Sequence, residues 1–225
     1  MSSLNYDLTK ATVFSAGSIP LSVNPINDLA LTVDGTTDGD AAIRLADKGQ
    51  SIISTAGESG EYSVTLSEKP TVGEIVEVGA NKNFLTTKKS VEVTGSVSVT
   101  KLPDIPFNAI GSPRNSAAIN RLDEGWEIEL TDTRTNGGKW ALYVATESEL
   151  QSDGNVIAEA VTFTDGETTT LSETPVLVAE GETNGSQKIY LSWEKAKGIL
   201  LNISPSEIYA SGKYVAKLKW TTEFD

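Results

Sequence analysis

The stretch Gly212-Lys213-Tyr214-Val215-Ala216-Lys217-Leu218-Lys219-Trp220 decides the fold class. Side chains of a β-strand alternate between its two faces, so Tyr214, Ala216, Leu218 and Trp220 share one side and Val215, Lys217, Lys219 and Thr221 the other. That is the apolar-in, polar-out pattern of a half-buried strand. The same grammar recurs upstream. Trp140, Leu142 and Val144 fall on one face, opposite Ala141, Tyr143 and Ala145; Trp126, Ile128 and Leu130 oppose Glu127 and Glu129; Ile189, Leu191 and Trp193 line up likewise. No segment sustains a helical period apart from a weak turn over Glu147–Ser152. The fold class predicted is all-β, with two β-sandwich/Ig-like modules in tandem.

Upstream of this strand, short runs rich in Val, Ile, Thr and Tyr are separated by Gly, Asn, Asp and Ser. In the first half, strands are predicted at Leu29–Val33, Ala41–Leu45, Gln50–Ser54, Glu61–Leu66, Ile75–Val78 and Ser90–Val93. Turns are predicted at Asp34-Gly35, Ala56-Gly57, Ser59-Gly60 and Val72-Gly73. In the second half, strands are predicted at Val97–Leu102, Gly125–Thr131, Lys139–Thr146, Glu173–Val178, Gln187–Trp193, Ile199–Ile203 and Gly212–Thr222. Asn108–Asp123 reads as irregular and Thr162–Thr170 as a loop. Thr94-Gly95 is the predicted boundary: residues 1–95 form an Ig-like module with an N-terminal extension, and 96–225 a second sandwich. Val91, Val93, Val97 and Val99 keep alternating through it, which predicts a short extended joint.

Composition narrows the chemistry. The 225 residues include no His and no Cys, which removes the commonest general base and metal ligand, thiol nucleophiles, disulfides and thiolate zinc sites. With 18 basic and 31 acidic residues the formal net charge is −13, which argues against a nucleic-acid partner and against an anionic membrane surface. The charge is spread: residues 1–95 carry 7 basic and 12 acidic side chains, and 96–225 carry 11 and 19. No apolar run approaches the roughly 20 residues of a membrane span. Met1–Lys10 lacks the basic and hydrophobic regions of a signal peptide, so export implies a leader outside this sequence. No cofactor and no metal site is expected, and the chain reads as a non-enzyme.

Three blocks in the second half carry a family resemblance. Leu102-Pro103-Asp104-Ile105-Pro106-Phe107 precedes Thr131-Asp132-Thr133-Arg134 and Gly137-Gly138-Lys139-Trp140-Ala141-Leu142. Near the end, Leu201-Asn202-Ile203-Ser204-Pro205 leads to the strand quoted above. In order and spacing this resembles the WxL domain of Gram-positive surface proteins over about residues 96–225. The final block departs from the family: Lys219 and Thr222 stand where Thr and Leu are usual, and the sequence stops at Phe224-Asp225. The first module, with Gly60, Tyr62, Val64, Leu66, then Gly73, Ile75, Val78, then Val91 and Val93, resembles bacterial Ig-like modules. The resemblance implies an exported, cell-wall-associated protein held non-covalently at peptidoglycan or another wall glycopolymer, or at a WxL-interacting surface protein. It implies Asp132, Trp140, Leu142, Tyr214, Leu218 and Trp220 as binding residues.

The same residues also read as plain packing. All four Trp side chains sit on the apolar face of an alternating pattern, as a Trp-built sandwich core requires, and a binding role needs at least one ring exposed. Ser59-Gly60-Glu61-Tyr62-x3-Leu66 repeats as Ser211-Gly212-Lys213-Tyr214-x3-Leu218, so Tyr-x3-Leu is ordinary β-module grammar. Asp34-Gly35-Thr36-Thr37-Asp38-Gly39-Asp40 has oxygen ligands but not calcium-loop spacing, and reads as a solvated turn. Asp123-Glu124 and Glu127/Glu129 are carboxylate pairs of the kind glycoside hydrolysis uses, but Glu127 and Glu129 alternate outward and suit pairing with Lys217 and Lys219 on a neighbouring strand equally well. Asn108–Asn120 has no phosphate-cradle spacing. The alternative function is a phage virion component, tail or decoration, assembled through symmetric contacts.

Overall fold

The computed structural model describes residues 17–107, 117–203 and 212–225. The chain is all-β, with several antiparallel sheets, and it divides into two compact units, Met1–Thr94 and Gly95–Asp225.

The first unit holds β1 (Thr32–Thr36), β2 (Ala42–Asp47), β3 (Gln50–Thr55), β4 (Glu61–Thr65), β5 (Ile75–Lys82) and β6 (Leu85–Glu92). β1 pairs β4, while the other four form a sheet in the order β3-β2-β5-β6. Strict alternation aims Val33, Ile43, Leu45, Tyr62, Val64, Val76, Val78 and Ala80 into one core between the two sheets. Asp34-Gly35, predicted as a turn, lies inside β1. Tertiary packing overrides the turn signal there: a Cβ on Gly35 would stand 2.5 Å from the Tyr62 hydroxyl and 2.2 Å from Ser22 O. Tyr62 donates to that Ser22 carbonyl at 2.6 Å, so the glycine makes room for a buried phenol.

The second unit holds β7 (Val97–Lys101), β8 (Ala117–Ile119), β9 (Glu127–Asp132), β10 (Gly138–Ser152), β11 (Asn155–Ile157), β12 (Val161–Asp165), β13 (Glu167–Thr170), β14 (Val176–Thr183), β15 (Gln187–Ser192), β16 (Gly198–Ile203) and β17 (Val215–Phe224). Three sheets surround one core: β15-β9-β7, β13-β12-β16-β8, and a sheet in which the long β10 pairs β14, β11 and β17. Thr222 of β17 donates from its hydroxyl to Val97 O of β7 at 2.7 Å, stitching two sheet edges together.

Three predicted irregularities are strands instead. Thr162–Thr170 is the β12–β13 hairpin, which carries Phe163 into the core. Glu147–Ser152 continues β10, held by β11 and β17. Ala117–Ile119 pairs with β16. The first closes locally around Asp165-Gly166, while in the other two a ladder supplied by a distant strand, β17 or β16, outweighs a weak local preference. Ser204, Pro205 and Ser211, and residues 108–116 of the predicted loop, lie outside the described residues.

Candidate functional site

Asp132 closes β9, and its carboxylate is fully buried. It accepts hydrogen bonds from the Arg134 backbone N–H at 2.9 Å, from Arg134 Nε at 3.1 Å and Nη2 at 2.8 Å, and from Thr183 Oγ1 at 2.5 Å. Burial pushes the Asp132 carboxyl up, but the Arg134 and Thr183 donors outweigh it and hold it below the usual carboxylate range. Arg134 is raised, chiefly through its bond to Asp132 and against the cost of burial. The guanidinium donates further to Gly138 O at 3.0 Å, Lys139 O at 3.0 Å and Asp225 O at 2.8 Å, with the Phe224 ring 5.6 Å from its carbon. Lys139 N–H in turn donates to Asp225 Oδ1 at 2.7 Å. The Asp-Thr-Arg turn is thus a clasp: a buried ion pair joins β9, the start of β10, the end of β14 and the last residues of β17.

Trp140 and Leu142, next along β10, point into the core, 7% and 0% exposed. The Trp140 ring lies flat over β14 because residue 181 is glycine; a Cβ there would come 2.7 Å from the ring. Asp132, Trp140 and Leu142 therefore work from inside the unit.

Tyr214, Leu218 and Trp220 lie elsewhere. Leu218 and Trp220, with Ala216, form a half-buried stripe along one face of β17, and Tyr214, just before the strand, is half-buried with them on the core's margin. Trp220 meets Trp126 with ring centroids 6.1 Å apart, Trp126 meets Trp193 at 5.8 Å, and Trp193 takes Phe163 edge-on at 5.7 Å. Such tilted and edge contacts are the favoured aromatic geometries. Trp126 is 2% exposed and its indole N–H donates to Pro103 O at 3.0 Å. Three of the four Trp residues so form one aromatic chain, with Trp220 as its half-exposed end. Trp126 and Trp193 flank β9 and β15 rather than lie within them.

The sequence reading missed Arg121, which is fully buried over Trp126, 5.3 Å from guanidinium carbon to ring. Its donors go to main-chain carbonyls of the β15–β16 connection: Lys197 O, Trp193 O at 2.6 Å and Glu194 O at 2.9 Å. Desolvation by these neutral surroundings lowers its pKa, opposed by Asp123. An Arg between Asn120 and Leu122 carries no sequence signal of burial; only the placement of a distant loop creates it. Glu129 pairs with Lys188 on β15 at 3.0 Å rather than with Lys217 or Lys219, because β17 is laddered to β10.

Among the described residues, no group of three or more Asp or Glu is set to hold a metal, and no helix is long and apolar enough to cross a membrane. The chain matches no family model and no curated protein. Among solved structures it is similar to a Salmonella alpha-2-macroglobulin mutant at 11% identity and a TM-score of 0.25, covering 96% of this chain and 15% of that one. It is also similar to the secreted serine protease VesC from Vibrio cholerae at 10% identity and a TM-score of 0.16, covering 92% of this chain and 51% of that one.

Proposed function

We propose that this chain is a non-catalytic surface-binding protein whose second unit attaches non-covalently to Gram-positive peptidoglycan or to a protein bound there. The observation that carries the reading is the half-exposed stripe Ala216-Leu218-Trp220 of β17, with Tyr214 just before the strand, backed by the packed rings of Trp126 and Trp193. An aromatic face that is amphipathic and held by packing loses little entropy on contact, and it suits the apolar face of a sugar ring or a partner's apolar side chain. The chemistry agrees: the chain has no His and no Cys, and Asp47, Glu129 and Asp132 are all held below the usual carboxylate range, opposite to a general acid. On this reading Asp132, Trp140 and Leu142 support the module from within, and contact falls to Tyr214, Leu218 and Trp220.

The test is co-sedimentation of the full chain with insoluble Gram-positive peptidoglycan, beside Tyr214→Ser and Leu218→Ser variants checked for native fluorescence. The wild type should pellet with the wall, and the folded variants should stay largely in solution. If the wild type stays in solution with purified peptidoglycan, direct wall binding is wrong. If the variants pellet as well as the wild type, the stripe is not the contact.

A further inference from the structure

The four-stranded sheet of the first unit ends in two edge strands that are treated very differently. β6 carries Lys88, Lys89 and Glu92, and the chain at Ile19 runs beside it, its carbonyl accepting from Thr87 Oγ1 at 2.7 Å. Charge and coverage are the usual guards against edge-to-edge pairing. β3, Gln50-Ser51-Ile52-Ile53-Ser54-Thr55, has neither: no charge, no Pro, and an unbroken register with β2. Ile53 is 73% exposed, and among the described residues no strand pairs with the outer edge of β3.

The direction of the free main-chain groups follows from one bond. Ala56 N–H donates to Ala41 O, so Ala41 and Ala56 are a hydrogen-bonded pair, and so, two residues on, are Ile43 with Ser54 and Leu45 with Ile52. The intervening residues Ser51, Ile53 and Thr55 therefore aim both their N–H and their C=O away from β2, along the open edge. Their side chains share the exposed sheet face with Arg44, whose Nε donates to Ser51 Oγ at 2.6 Å.

We propose that β3 pairs antiparallel with β3 of a second copy of this chain, across a two-fold axis at Ile53. Antiparallel partners must present the same face and the same bonding phase to each other. Setting Ile53 opposite Ile53 meets both conditions: Ser51 then faces the other copy's Thr55, and every outward N–H and C=O of the three residues finds a mate. It covers the exposed isoleucine with its own copy, opposes hydroxyl to hydroxyl on either side, and sets no charge of β3 against a like charge. A strand of this composition is complementary to itself, as a two-fold interface demands. The contact joins two four-stranded sheets into one continuous sheet. A six-residue edge is well below the ~1,000 Å² of a robust interface, so association in the tens to hundreds of micromolar is expected. The inference stands apart from the wall-binding reading, although two linked copies would gain avidity at a repetitive polymer.

Sedimentation velocity of the full chain over roughly 10–500 µM should show reversible dimerisation. Ile53→Lys, which installs the missing guard, should weaken it at least tenfold; Ile75→Lys, equally a surface change but on the inner strand β5, should leave it intact. Because the chain has no Cys, register can be read directly. Opposed residues of a hydrogen-bonded pair stand about 5.5 Å apart at Cα, within disulfide reach, so Ile53→Cys should yield a covalent dimer on mild oxidation and Ile75→Cys should not. A wild type that stays monomeric throughout, a dimer that survives Ile53→Lys, or equal cross-linking of the two cysteine variants would each overturn the proposal.

Discussion

Replacing Asp132 with Ala tests whether the motif that draws the eye in sequence is a clasp. The substitution deletes the acceptor of the Arg134 main-chain N–H, of Arg134 Nε and Nη2, and of the Thr183 hydroxyl, all inside the unit. Removing one member of a buried ion pair typically costs about 3–5 kcal/mol, because the other charge is left without compensation. Here Arg134 keeps three carbonyl acceptors and an exposed carboxylate, Asp225, at 3.4 Å, so the low end, about 3 kcal/mol, is expected. For a unit of this size that is roughly 12 °C in Tm, or about 1.5 M in the urea midpoint. The assay is selective, since all four Trp residues lie in the second unit and none in the first; intrinsic Trp fluorescence follows that unit alone. A double variant, Asp132→Ala with Arg134→Met, removes the stranded charge and should recover much of the loss. A single-variant cost below about 1 kcal/mol, or strict additivity of the two changes, would falsify the clasp.

Other expectations follow from the same structure. The Asp132 carboxyl titrates lower folded than unfolded, so its contribution is complete above the unfolded value near ~4 and is lost as pH falls through the folded one; Arg134→Met should flatten that acid limb in fluorescence-monitored unfolding. Tyr62 is pushed up to about 12 by desolvation first and by Asp34 second, so it should be a late-ionising phenol in an ultraviolet titration. Its sign is opposite: the folded pKa exceeds the unfolded ~10, so stability is intact below ~10 and declines as pH rises toward the folded value, a decline that Tyr62→Phe should abolish. Trp126→Ala removes the centre of the aromatic chain at a fully packed site and should cost about 3–5 kcal/mol in the second unit, leaving the first unit's far-ultraviolet signal in place.

The strands with clear apolar alternation, and their buried faces, were legible in the sequence because period-2 alternation is a local property of the chain. Trp140, Leu142 and Val144 go inward and Glu127 and Glu129 outward as parity requires, and Tyr214, Leu218 and Trp220 share the face assigned to them. Lateral relations are not local, and there the sequence was silent. In Thr162–Thr170 the Asp165-Gly166 turn, with Gly166 at φ +85°, is a local hairpin signal that the polar Thr run hides, whereas the pairing of β12 with β16 is written nowhere near it. Arg121 becomes a buried cation only because the β15–β16 connection folds its carbonyls around the guanidinium. Glu129 chooses Lys188 over Lys217 by sheet order alone. Side-chain parity is written residue by residue, whereas which strand lies beside which is set by closing the core, a sum over the whole unit that no short window of sequence contains.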